Sequence, residues 1–182
     1  MRQKLFILVG FFAMFIGSAQ QNLWSKVTSK NIPDKRIKMI NVVNYTLLNL
    51  DVNIFAKHLQ NAPDRNVISG KKGEQIKFPN TDGTFDTFTV LEASTMHKDL
   101  QSKYIGTKSY IGYKIDDPSV KIRFTYDPYF GLNAVVRNNK GIYYIDSYSK
   151  DNNMYIVYNS KDDKSIGTFE CLFNNELPKH AD

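Results

Sequence analysis

Cysteine is nearly absent from this chain. Cys171 is the one thiol in 182 residues, so no disulfide can form within the chain and the small disulfide-framework class is excluded. Histidine is also scarce, and the three present are far apart: 39 residues separate His58 from His97 and 83 separate His97 from His180. A zinc-peptidase helix needs two histidines four residues apart, because one helical turn then presents both imidazoles to one metal. No such pair occurs, and no local histidine pair suggests another metal site. The G-x-S-x-G elbow, the phosphate-binding loop and the dinucleotide glycine fingerprint are missing too, which removes the sequence signals for a serine hydrolase, a P-loop nucleotidase and a Rossmann oxidoreductase. The reading for the chain itself is therefore that it is not an enzyme and has no cofactor of its own.

Long apolar runs are lacking with one exception. Arg2 and Lys4 precede an uncharged stretch from Leu5 to Ile16, followed by Gly17, Ser18 and Ala19. A basic end, about a dozen apolar residues and small residues before the junction form the pattern of a secretory signal peptide, whereas a spanning helix needs about twenty. Residues 1–19 are read as that signal, cleaved after Ala19, with a secreted or periplasmic destination and no membrane anchor afterwards. Its removal takes Arg2 and Lys4 away and lowers the formal charge from +6 to +4. That modest, scattered charge argues against a nucleic-acid partner.

What remains is ordinary globular material: 42% of the chain is hydrophobic and 23% charged, too apolar for a disordered segment. After a lead-in over 20–37, a single domain is expected over 38–173, and 174–182 reads as a linker or frayed tail. Lys38 to Leu50 is β-prone and predicts a first long strand. Asp51 is placed to cap a short helix with Val52, Phe55 and Leu59 on one face, ended by Ala62-Pro63. Gln75–Phe78 and Phe85–Leu91 flank a turn at Pro79, Asn80 and Asp82-Gly83 and predict a hairpin. Ser94 is expected to cap a second helix, with Met96, Leu100 and Tyr104 on one face.

From Ser109 onward, short β-type runs recur: Ser109–Ile115, Val120–Tyr126, Leu132–Val136, Ile142–Tyr148, Met154–Tyr158 and Ile166–Phe173. Tight Asp-, Asn- and Pro-containing turns separate them, which favours an antiparallel meander over crossover units. The expected class is α+β, a predominantly antiparallel sheet with two short helices. Nine of the eleven tyrosines fall between Tyr110 and Tyr158, where a half-exposed sheet would bury each ring and leave the hydroxyl wet. An aromatic ligand platform on that sheet is the alternative.

Other chemistry-bearing residues have plainer readings. Thr81–Asp86 carries oxygen ligands but lacks the donor set of a calcium loop, so it reads as a hairpin turn. Asp116-Asp117 before Pro118 reads as turn initiation, and His58 and His97 as surface or half-buried imidazoles. Cys171 keeps three readings: a small hydrophobe in the last strand, half of a disulfide to a part outside this chain, or a thiolate offered to a zinc ion held by another domain.

Four segments together carry a resemblance: FTVLEASTMHKDLQSKY (Phe88–Tyr104), SYIG (Ser109–Gly112), DDPSVKIRFTYDPYFGLNAVV (Asp116–Val136) and GIYYIDSYSKDNNMYIVY (Gly141–Tyr158). In this order they resemble the N-terminal prodomain of secreted bacterial reprolysin-like zinc metalloproteases, over about Leu23–Phe173. The resemblance implies a prodomain that assists folding of a cognate zinc peptidase domain and blocks its cleft, the zinc belonging to that partner. The peptidase helix H-E-x-x-H-x-x-G-x-x-H of the family is not in this chain, so activity is not carried over. Related animal prodomains block zinc with a cysteine, but Glu170-Cys171-Leu172 departs from their local pattern. The alternative function is a free-standing secreted module that binds carbohydrate or protein through the tyrosine-rich sheet.

Overall fold

The computed structural model describes residues 22–27, 41–67 and 72–164. The signal with Ala19, the strand expected at 166–173 with Cys171, and the tail with His180 lie outside the described residues.

Period-two patterning dominates the chain, and the structure follows it. Among the described residues nine strands form one antiparallel sheet: β1 (Trp24–Lys26), β2 (Tyr45–Leu50), β3 (Glu74–Pro79), β4 (Phe85–Glu92), β5 (Lys108–Lys114), β6 (Lys121–Asp127), β7 (Gly131–Asn138), β8 (Gly141–Ser147) and β9 (Met154–Asn159). Their order is β1-β2-β9-β8-β7-β6-β5-β4-β3, so β3 to β9 run as the expected meander while β2 adds to the far side of β9 and β1 caps that edge. The helices are short, α1 (Val52–Asn61) and α2 (Lys98–Lys103). The protein is thus strand-dominated, and the α+β expectation is met only in its coarser form.

Alternation places one residue of each pair inside. In register across the sheet, Val157, Ile145, Ala134, Phe124 and Tyr110 form one inward row, and every member is buried. The sheet curls until its edges nearly meet: the Trp24 indole on β1 donates to the Lys77 carbonyl on β3 at 2.8 Å. Helix α1 supplies the remaining apolar surface. Asp51 caps it as predicted, accepting from the amides of Asn53 and Ile54 at 3.0 Å each, which satisfies two of the unpaired first-turn donors. Phe55 and Leu59 are buried from this helix. The Phe55 ring lies 6.1 Å from Phe78, 6.1 Å from Phe124 and 5.5 Å from Tyr126. A fully buried aromatic of this kind contributes roughly 2–3 kcal/mol of transfer free energy.

Four expectations need correction. The lead-in contributes a strand, β1, which at three residues is too short for periodicity to reveal. The first long strand starts at Tyr45, since within Asn41–Asn44 only Val42 makes a bridge, to Asp163. Helix α2 is capped by His97, whereas the Ser94 hydroxyl donates to Gln101 Oε1 at 2.7 Å; Leu100 and Tyr104 stay exposed, so their shared spacing does not mark a core face. Finally, Tyr110, Tyr143, Tyr148, Tyr155 and Tyr158 are buried, not half-exposed. Tyr155 is fully buried under the β6–β7 turn, where its hydroxyl accepts from the Leu132 amide at 3.2 Å.

Candidate functional site

The antiparallel connectivity sends alternate turns to opposite ends of the curled sheet. One end carries the β6–β7 turn, the β8–β9 turn and the α2–β5 loop. The other carries the β3–β4, β5–β6 and β7–β8 turns with the end of β9.

At the first end, large apolar side chains stand in solvent. Tyr129 is 83% exposed, Ile105 77% and Phe130 69%, with Tyr104 and Leu100 also exposed. Lone exposed apolar residues are ordinary, but an apolar cluster on adjoining loops marks a contact surface. These loops adjoin, because a Cβ built on Gly106 would lie 2.9 Å from the Pro128 ring. They are also held from behind. Asp127 Oδ1 accepts from the amides of Tyr129 at 2.7 Å and Phe130 at 3.0 Å, while the Thr107 hydroxyl donates to Asp127 Oδ2. Burial raises the affinity of the Asp127 carboxyl for a proton, yet these bonds outweigh it and hold the group below the usual carboxylate range. Gln101 donates to the carbonyls of Tyr104 and Thr107, both at 3.0 Å.

The β8–β9 turn adds a buried brace. Asn152, 9% exposed, donates to the Tyr129 carbonyl at 3.0 Å and accepts from the Ser147 hydroxyl at 3.1 Å. It holds a left-handed φ of 56°, which asparagine tolerates better than most residues. Gly131 closes the β6–β7 turn at φ 77°. A side chain there would be strained by the backbone and would meet Tyr155 Oη at 2.8 Å and Asn152 Oδ1 at 2.9 Å. Glycine is required on both counts.

The second end is polar. Asn80, Asp82, Asp86, Lys114, Asp117 and Lys140 are among the residues around a hollow of about 360 Å³. Lys114 Nζ meets Asp86 Oδ1 at 2.8 Å, which raises the lysine pKa. Tyr143 rises from beneath and donates to Asn80 Oδ1 at 2.9 Å; burial first, then Asp86 and Asp82, push its pKa up.

The residues singled out from sequence are scattered over this frame. Thr81–Asp86 forms the hairpin turn expected, with Thr84 bonded to Asp82 through both its amide at 2.9 Å and its hydroxyl at 2.6 Å. Asp117 is likewise a turn residue, accepting from the Ser119 amide at 3.1 Å. His58 pairs with Glu74 at 2.7 Å, and not with the sequence-near Asp51 or Asp64. His97 serves as the α2 cap, its Nδ1 facing the Asp99 amide at 3.4 Å. No group of three or more His, Cys, Asp or Glu that could hold a metal ion occurs among the described residues. The Tyr129–Phe130 tip was missed; its signal in sequence was two aromatics inside the turn Asp127–Gly131, where a solvated turn needs neither.

No family model matches the chain, and no curated protein matches it. A solved structure described as "Structure of a chaperone-substrate complex" aligns with a TM-score of 0.47 and 15% identity, covering 72% of this chain and 94% of that chain. At that TM-score the likeness carries no argument. No helix of the described residues is long and apolar enough to cross a membrane.

Proposed function

We propose that this domain is the noncatalytic prodomain of a secreted zinc metalloprotease, and that it meets its peptidase domain through the aromatic tip at Tyr104–Ile105 and Tyr129–Phe130. The observation that carries this reading is the tip itself: apolar side chains held in water by polar braces behind them. Leaving such surface exposed forgoes burial worth about 25 cal/mol per Å², and rigid presentation reduces the ordering cost when a partner arrives. Aromatic residues at the centre of a contact carry most of its affinity. Two of the four segments that resemble reprolysin-type prodomains end at or contain this tip, Phe88–Tyr104 and Asp116–Val136.

In this reading the domain assists folding of the peptidase and covers its cleft, and the zinc belongs to the peptidase. The test is inhibition of a reprolysin-type peptidase domain by the purified protein. Saturable inhibition is expected, and the double substitution Tyr129→Ala with Phe130→Ala weakens it by about 30-fold, the size of a hot spot of roughly 2 kcal/mol. Both side chains are solvent-exposed, so the melting temperature of that variant stays near that of the parent. Absence of binding and inhibition by the parent protein overturns the proposal.

A further inference from the structure

The polar end carries a groove separate from the aromatic tip. The hollow beside Lys114 continues into a second one of about 530 Å³ that reaches Tyr45, the two sharing Thr81, Asp82 and Asn159. Both hollows are open to solvent and polar-lined, the form of a surface groove for an extended chain. We propose that this groove binds a neutral saccharide.

The charges of the lining set the ligand class. Asp82, Asp86 and Asp117 face Lys114 and Lys140, a net of one negative charge, which disfavours phosphate or sulfate. Asp86 is engaged with Lys114, and no cluster capable of holding a metal ion occurs among the described residues, so a cation lacks a cage. What the groove offers is hydrogen bonding in both senses. Asp82 and Asp117 each commit Oδ1 to their own turn, through Thr84 and Ser119. Those bonds, the side-chain ones foremost, lower both pKa values, which keeps the carboxylates ionised as acceptors. No other described residue donates a hydrogen bond to their second oxygens, and the side-chain amides of Asn139 and Asn159 likewise bond to no other described residue. A sugar presents hydroxyls that pair with such acceptors and amides, together with a C–H face that needs an apolar partner. Tyr45 supplies that partner at the end of the groove, with its side chain 47% exposed.

The turns that carry these groups are fixed before any ligand arrives. The Asn80 amide donates to the Thr84 carbonyl at 2.8 Å, and the Val120 amide to the Asp117 carbonyl at 3.0 Å. The Asn138 side chain accepts from the Lys140 amide at 2.8 Å.

The experiment is an amide chemical-shift titration of the whole protein with cellohexaose, maltohexaose, xylohexaose and the hexamer of N-acetylglucosamine, with inorganic phosphate as the anionic probe. At least one oligosaccharide is expected to produce saturable shifts at residues 80–84 and 138–140. Tyr45→Ala and Asn139→Ala, both at exposed positions, are each expected to weaken it about tenfold. Tyr129→Ala with Phe130→Ala is expected to leave it unchanged, which separates this groove from the aromatic tip. Failure of all four sugars to saturate at millimolar concentration overturns the proposal. So does binding indifferent to both substitutions, or phosphate producing the same shifts.

Discussion

The two ends of the sheet present opposite chemistry: polar side chains that water favours at one, aromatic ones that it does not at the other. At the polar end each turn carries a bond to itself, Asp82 to Thr84, Asp117 to Ser119 and Asn138 to Lys140, all two residues apart, and long-range bonds from Tyr143 to Asn80 and from Thr46 to the Thr81 carbonyl anchor the β3–β4 turn from below. At the aromatic end, local bonds from Asp127 are joined by long-range ones. Thr107 reaches Asp127 across 20 residues, and Asn152 reaches Tyr129 across 23. A turn that ties itself needs only short polar residues, which water already favours. A tip that displays Tyr and Phe has no solvation drive to stay open, so other parts of the fold must restrain it.

That contrast predicts different sensitivities. The largest effect is expected for Gly131→Ala, which forces alanine into φ 77° against Tyr155 and Asn152. A loss of about 2–3 kcal/mol is expected, read as a lower chemical-denaturation midpoint with the slope preserved. By comparison, alanine at Gly83, whose φ is 80° but whose Cβ would meet nothing within 4 Å, carries only the backbone penalty of about 1 kcal/mol. Equal losses at the two glycines would break the distinction between a tip packed against buried side chains and a turn open to water.

Alkaline pH acts on the interior that joins both ends. Burial raises the pKa of Tyr155 to about 12, and burial first also raises Tyr110, Tyr143 and Tyr158. Each folded-state pKa stands above the unfolded value near 10. The corresponding stability is therefore fully present below pH 10 and is lost as pH rises through the folded values. Denaturation midpoints followed from pH 8 to 12 are expected to hold to about 10 and then fall; a flat profile to pH 12 would contradict the burial of these hydroxyls.

The smallest effect is expected at the polar turn. Thr84→Ala removes two solvent-exposed hydroxyl bonds, the one donated to Asp82 and the one accepted from the Asn80 side chain, but leaves the amide bond, so a change of about 0.5 kcal/mol or less is expected by thermal melting. A loss above 2 kcal/mol would make this turn as dependent on the rest of the fold as the tip.

The same contrast explains what was legible in the sequence. Interactions spanning two or three residues were readable: the Asp51 cap, the turn at Asp82-Gly83 and the strand phase that buries Phe124 and Ile145 all follow from local chemistry and period-two alternation. Long-range choices were not. Helix α2 has the spacing of a core helix, yet among the described residues Leu100 and Tyr104 stay exposed, and it is Gln101 that ties the helix to the loop ahead of β5. The tyrosines looked half-wet because a hydroxyl usually seeks water. The sheet instead gave Tyr143 the Asn80 side chain and Tyr158 the Asp146 carboxylate at 2.8 Å, partners 63 and 12 residues away that no local pattern names. The aromatic tip was hidden for the same reason, since exposure of Phe130 is a property of the closed fold.

The most direct measurement is a hydrogen-exchange footprint of the protein with and without a reprolysin-type peptidase domain. The account predicts slowed exchange at amides of residues 104–107 and 127–131, with those of residues 81–84 and 139–140 unchanged. Protection at the polar turns with an unprotected aromatic tip would contradict it.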